Sequence, residues 1–112
     1  MLDRVPDTVK DMALLKVAPE SEFQNGGIKE VLIGDAPFAV CNVDGKFHCV
    51  EGTCPHAGGP LAEGTLHGNV LVCPWHAWEF DVRTGLSAGE DGFELKTYPV
   101  VIENGEVFVD AP

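Results

Sequence analysis

Two short segments carry the residues whose types and spacing are most capable of chemistry. Cys54-Pro55-His56 and Cys73-Pro74-Trp75-His76 each place one thiol and one imidazole close together beside a proline. Thiolate sulfur and imidazole nitrogen are ligands that zinc and iron–sulfur centres take from proteins. If the two segments form facing loops, their side chains supply a complete set of four ligands. The sequence therefore predicts a metal site.

The order of the ligands along the chain separates two kinds of metal site. Structural zinc sites with two cysteines and two histidines usually pair Cys with Cys and His with His. Here each segment contributes one residue of each type. This alternation disfavours a zinc-stapled interaction module without excluding it. A catalytic Cys–His pair is disfavoured further, because it would leave the duplication unexplained.

The spacing of these residues, C-x-H-x16-C-x-x-H with proline after each cysteine, resembles the ligand signature of Rieske [2Fe–2S] proteins. The flanking text is also similar to that family, at Pro60-Leu61, at Gly64 and over residues 78–85. The resemblance covers roughly residues 13–110, which is nearly the whole chain. It is strongest to the small soluble Rieske ferredoxins that serve bacterial aromatic-ring-hydroxylating dioxygenases.

The resemblance implies one [2Fe–2S] cluster per chain, with Cys54 and Cys73 on one iron and His56 and His76 on the other. It also implies a one-electron carrier, with no catalytic residues, that passes electrons from a flavin reductase to a terminal oxygenase. A second function is the small subunit of a nitrite-reductase-type enzyme, where the same fold serves as an assembly piece. The complete ligand set favours the electron carrier, because a structural subunit would not need it.

Two histidines and two cysteines lie outside the motif. We expect His48 to be a strand residue and His67 an exposed loop residue, with neither binding metal. Cys41 and Cys49 flank the turn signal Asp44-Gly45, which places them on adjacent rungs and opposite faces of a hairpin. The sequence therefore predicts two buried thiols that cannot form a disulfide with each other.

The elements that must position the two segments are short strands. The 112 residues include 13 glycines and 8 prolines, and no stretch keeps a helical period. Strands are predicted at residues 13–17, 28–33, 38–43, 46–51, 69–72, 96–103 and 106–110, and the alternation of Trp78 and Phe80 indicates a further strand whose aromatic side chains pack in the core. Asp44-Gly45 and Asn104-Gly105 mark two-residue hairpins. We expect an all-β domain over residues 13–112, an antiparallel sandwich or barrel with a loop-rich cluster-binding insertion at about 52–89, after an arm at 1–12.

The charge of the chain excludes several partners. Eighteen acidic residues against seven basic residues give a net charge of −11, which repels nucleic acid and anionic lipid. It favours partners with a basic patch, met through long-range steering. The sequence has no apolar run of membrane-spanning length and no signal-peptide core. We expect a soluble, cytoplasmic monomer that contacts its reductase and its oxygenase transiently.

Overall fold

Short antiparallel strands build the fold, and a computed structural model describes them over residues 14–55, 58–75, 77–88 and 93–110. The strands in these ranges are β1 Leu14–Pro19, β2 Ile28–Ile33, β3 Ala36–Val43, β4 Lys46–Glu51, β5 Thr65–His67, β6 Val70–Val72, β7 Glu79–Asp81, β8 Thr97–Tyr98, β9 Val100–Glu103 and β10 Glu106–Asp110. They form sheets of order β1-β10-β9, β2-β3-β4-β8 and β5-β6-β7. The predicted all-β, antiparallel fold class is confirmed, while the predicted arm at 1–12 lies outside the described residues.

The two predicted hairpin turns set the strand register. Asp44 and Gly45 have φ values of 53° and 86°, and Asn104 and Gly105 have values of 53° and 75°. Positive φ at both central residues is the type I′ geometry, whose twist matches that of the flanking strands. The first turn pairs Val43 with Lys46 and, further along, Cys41 with His48. The register predicted from the sequence for β3 and β4 is therefore confirmed.

The β3–β4 hairpin separates two apolar cores, because alternate residues of a strand face opposite sides of the sheet. Cys41 packs in the core that also holds Cys54 and Cys73. Cys49 packs in the other core, against β1 and β10. Both thiols are buried and free, and burial raises the pKa of each to about 12. They are buried on opposite faces, as the hairpin register predicts.

The single strand predicted at 96–103 is wrong, because Pro99 divides it into two strands that belong to different sheets. Residues 97–98 pair with β4, and residues 100–103 pair with β10. Proline has no N–H to donate to a ladder, so pairing on that side stops there. The carbonyl of Pro99 still accepts a hydrogen bond of 3.0 Å from the N–H of Asp110. The chain changes sheets at this proline.

The insertion at 52–89 holds the strand predicted at 69–72, the strand that Trp78 and Phe80 indicate, and a third strand, Thr65–His67, that was not predicted. Three three-residue strands pair there, with Leu66 opposite Leu71 and Leu71 opposite Phe80. Leu71 and Phe80 are completely buried in the core that contains the two motif cysteines. His67 ends β5, so the prediction that it lies in a loop is wrong, although it is exposed as expected. This small sheet holds the segment that carries Cys73.

Candidate metal centre

The first cysteine loop is closed by its own backbone. Thr53 pairs with Pro60, and the N–H of Cys54 donates to the carbonyl of Gly59 at 2.9 Å. The N–H of Gly58 donates in turn to the carbonyl of Cys54 at 2.8 Å, with Gly58 in the left-handed region at a φ of 80°. Glycine adopts that conformation without steric cost. These contacts hold Cys54 in a fixed turn, with its side chain buried.

The second cysteine loop leaves β6 and returns into β7. The N–H of Cys73 donates to the carbonyl of Trp78 at 2.7 Å, which closes the loop over the intervening residues. The N–H of Trp75 points at the Cys73 sulfur, with a nitrogen-to-sulfur distance of 3.4 Å. Ala77 has a φ of 58°, in the left-handed region that favours glycine. The loop is thus tight enough to strain one alanine and to aim an amide at the sulfur.

Gly59 marks where the two loops meet. A Cβ at Gly59 would lie 2.9 Å from Cγ of Trp75, closer than real side chains pack, and 3.1 Å from Sγ of Cys73, which is a tight contact. A side chain on the first loop would therefore push the Trp75 ring away, and glycine lets the second loop approach this closely. Trp75 covers this contact and keeps half of its surface exposed. The sequence alone did not reveal that Trp75 is the neighbour of Gly59.

The two motif thiols come together beneath these loops. Cys54 and Cys73 are each 1% exposed, and their thiols are close enough to hydrogen-bond. Burial raises the pKa of Cys73, the amide of Trp75 lowers it in part, and the neighbouring thiol of Cys54 raises it again. A pair of buried thiols is costly in its charged form without a cation. Such a pair suits a bound metal, which holds thiolates deprotonated.

Of the four histidines, the structure describes only the two that lie outside the predicted ligand set. His56 and His76 lie outside the described residues. Among the described residues, no third His, Cys, Asp or Glu joins the two thiols. His48 is a half-buried strand residue as predicted, and its pKa is lowered by burial first and by Arg83 second. Neither His48 nor His67 is therefore brought to the cysteine pair.

Gly64, which the sequence shows only as part of the family motif, is needed at this site because a side chain would not fit there. A Cβ at Gly64 would lie 2.0 Å from the carbonyl oxygen of Val72, the residue directly before Cys73. Gly64 follows the 3₁₀ turn Leu61–Glu63 and so connects the first loop to the strand pair that carries the second. Nothing in the local sequence indicates this contact, because it depends on the register that places Thr65 opposite Val72 in the β5–β6 pair.

Comparison with known proteins decides the family. The sequence profile of the Rieske [2Fe–2S] domain matches residues 13–99. The chain belongs to the Rieske [2Fe–2S] family. Ferredoxin CarAc of Metapseudomonas resinovorans is 41% identical over 97 residues, which cover 85% of this chain and 91% of that protein. The ferredoxin component of biphenyl 2,3-dioxygenase from Rhodococcus jostii (strain RHA1) is 36% identical over 100 residues, covering 88% and 94%.

A solved structure agrees with the sequence comparison. The ferredoxin in the complex of reduced oxygenase and oxidised ferredoxin of carbazole 1,9a-dioxygenase superimposes with a TM-score of 0.83. It is 39% identical, and the alignment covers 89% of this chain and 94% of that one. This Rieske chain is accordingly an electron-carrying ferredoxin with a [2Fe–2S] cofactor and not itself an enzyme, as the sequence predicted. Within the described ranges, no helix is long and apolar enough to cross a membrane.

The described part of the site fits that cofactor. A Rieske cluster takes two thiolates and two imidazoles from its protein. Two buried thiols from facing loops supply the sulfur half of that set, and an amide aimed at one sulfur suits a ligand that carries negative charge. The apolar core around Leu71 and Phe80 keeps water from the thiols on the inner side.

Proposed function

We propose that this Rieske ferredoxin carries single electrons from a flavoprotein reductase to the terminal oxygenase of an aromatic-ring-hydroxylating system. Cys54 and Cys73 would bind one iron, and His56 and His76 the other. The observation that carries the proposal is the pair of buried thiols meeting across facing loops in a chain similar to dioxygenase ferredoxins over most of its length. The cluster, when bound, accepts and releases one electron.

The residues around the thiols hold that centre and expose one side of it. The loop hydrogen bonds at Cys54 and Cys73 fix both sulfurs before a partner arrives, so little of the site must move on electron transfer. Trp75 lies over the junction of the two loops with half of its surface exposed. An exposed aromatic side chain next to the redox centre is suited to contact an apolar patch on a partner. We assign Trp75 to the docking surface.

The net charge of −11 and the state of the cysteines suit a carrier in the cytoplasm. All four cysteines are free thiols, which reducing compartments maintain. A monomer that binds each partner through a small contact can dissociate after every electron, as transient redox pairs do. Its acidic surface would steer it towards basic patches on the reductase and the oxygenase.

Replacing Trp75 with Ser tests the docking surface. We expect the KM for the oxygenase to rise about tenfold, the effect of losing an aromatic anchor worth roughly 1.4 kcal/mol. The measurement is stopped-flow reoxidation of the reduced protein by the oxygenases of carbazole 1,9a-dioxygenase and biphenyl 2,3-dioxygenase. Leu32→Ser is the matched control, because Leu32 is 65% exposed on β2 and belongs to neither ligand loop. The KM of the Leu32→Ser variant for the oxygenase should stay at the wild-type value.

Salt tests the steering in the same experiment. Raising the salt from about 10 mM to about 150 mM shortens the screening length from roughly 30 Å to 8 Å, so transfer rates should fall. A rate that stays flat across this range contradicts electrostatic steering. A protein that passes electrons to neither oxygenase contradicts the proposed partner and favours the assembly-subunit alternative.

A further inference from the structure

The four cysteines divide into one pair that can meet and two residues that cannot. Cys54 and Cys73 come from segments 19 positions apart, yet their thiols lie within hydrogen-bonding reach. Gly59 contacts both segments. Its carbonyl accepts a hydrogen bond from the N–H of Cys54, and its α-carbon packs next to Sγ of Cys73. The two sulfurs therefore meet across a junction that the backbone itself defines.

The other two thiols are separated from this pair and from each other by the β3–β4 hairpin. Val40 is opposite Cys49, and Cys41 is opposite His48, so the two thiols face different cores. Cys41 shares a core with the motif cysteines, but it is held in the centre of β3, with its side chain completely buried. A disulfide needs its two Cβ atoms about 3.5–4.5 Å apart, with a specific dihedral geometry. Cys54 and Cys73 instead lie on two facing loops, with their thiols within hydrogen-bonding reach of each other.

We propose that Cys54 and Cys73 form a reversible disulfide in the full chain before it receives its cluster or after it loses it. This bond would make the two ligand residues a modification site, oxidised by peroxide and restored by a dithiol. Cluster binding and disulfide formation would exclude each other, because both use the same two sulfurs. The inference concerns the cluster-free chain and does not depend on which partner the carrier serves.

The chemistry balances with hydrogen peroxide as the oxidant. One thiolate attacks a peroxide oxygen, the O–O bond breaks and hydroxide leaves, which gives a sulfenic acid. The second thiol attacks that sulfur, an S–S bond forms and the oxygen leaves as water. The pair loses two electrons and two protons in total, and peroxide is reduced to two waters.

The test uses the full chain with its iron removed under reducing conditions. After treatment with peroxide, thiol counting should fall from four to two, and the mass should drop by two hydrogens. Peptide mapping should place the bond between Cys54 and Cys73, and dithiothreitol should restore both the four thiols and the uptake of iron and sulfide. Cys41→Ala/Cys49→Ala should behave in the same way, with its two remaining thiols falling to none. Cys54→Ser should form no bond within the chain, and its Cys73 should oxidise further to the sulfinic acid.

The same oxidation in urea distinguishes a folded junction from random pairing. In urea, all four cysteines should enter disulfides in mixed combinations. The proposal is overturned if the chain without urea keeps four thiols, if Cys41 or Cys49 appears in the bond, or if the pairing matches that seen in urea. The cluster-loaded protein should keep its iron under the same peroxide treatment for longer than the cluster-free chain keeps its thiols.

Discussion

A chain with Cys73→Ser is expected to bind at least about tenfold less iron than the wild type, since even the loss of a group that only orients a metal ligand lowers metal affinity about 10–100-fold. Serine offers a hard and weakly acidic oxygen in place of the thiolate that iron–sulfur centres require. The visible absorption of the cluster should be lost with the iron. Thermal stability should fall as well, because metal affinity contributes to folding stability. Iron analysis, absorption and a melting curve provide the measurement.

Cys41→Ala provides the matched control for this substitution. Cys41 is also a buried thiol of the same core, but it lies on β3, outside both loops. We expect it to cost only about 1 kcal/mol through the lost packing and to leave the iron content and the spectrum unchanged. If Cys73→Ser kept its iron while Cys41→Ala lost it, the assignment of the ligands would be wrong.

Gly64→Ala is expected to have the second largest effect, a loss of about 3 kcal/mol or more in the free energy of unfolding. The added Cβ would stand 2.0 Å from the carbonyl oxygen of Val72, so the backbone before Cys73 must shift. Because that shift moves a ligand loop, less iron should be retained at equal protein concentration. Urea unfolding, together with iron analysis, measures both effects.

Gly68→Ala separates the steric clash from backbone strain. Gly68 has a φ of 60° and open space where its Cβ would lie, whereas Gly64 has an ordinary φ of −82° and no such space. A left-handed alanine costs about 1–2 kcal/mol, so Gly68→Ala should be the milder change and should leave the iron content intact. Equal losses of stability and iron in the two variants would contradict the contact at Val72.

The sequence was most informative where a residue's role depends on near neighbours. The residue pairs Asp44-Gly45 and Asn104-Gly105 predict their turn type directly, since few other pairs adopt two positive φ values. The register of β3 and β4 followed from the first of these turns. The spacing of the cysteines and histidines likewise indicated the family, because the types and the order of the ligand residues can be read from the sequence without knowing the fold. These features could be predicted without the fold.

Prediction failed where the outcome depends on contacts between distant segments. Pro99 lies in an apolar run that reads as one strand, and only the position of the two sheets determines that the chain must cross there. The strand around Leu66 was missed because its three residues are too few for alternation to show, whereas the alternation of Trp78 and Phe80 did indicate the strand that contains Phe80. The contact between Gly64 and Val72 has no local signal either, because it depends on the register of the short strands β5 and β6.

Electron paramagnetic resonance of the reduced wild-type protein, together with metal and sulfide analysis, tests most directly whether the chain is a carrier built around one [2Fe–2S] cluster. Protein matured in an iron-replete host should contain two irons and two acid-labile sulfides per chain. Reduction with dithionite should produce one unpaired spin per chain, because the cluster accepts a single electron. Stoichiometric zinc without sulfide, and no signal after reduction, would contradict the account.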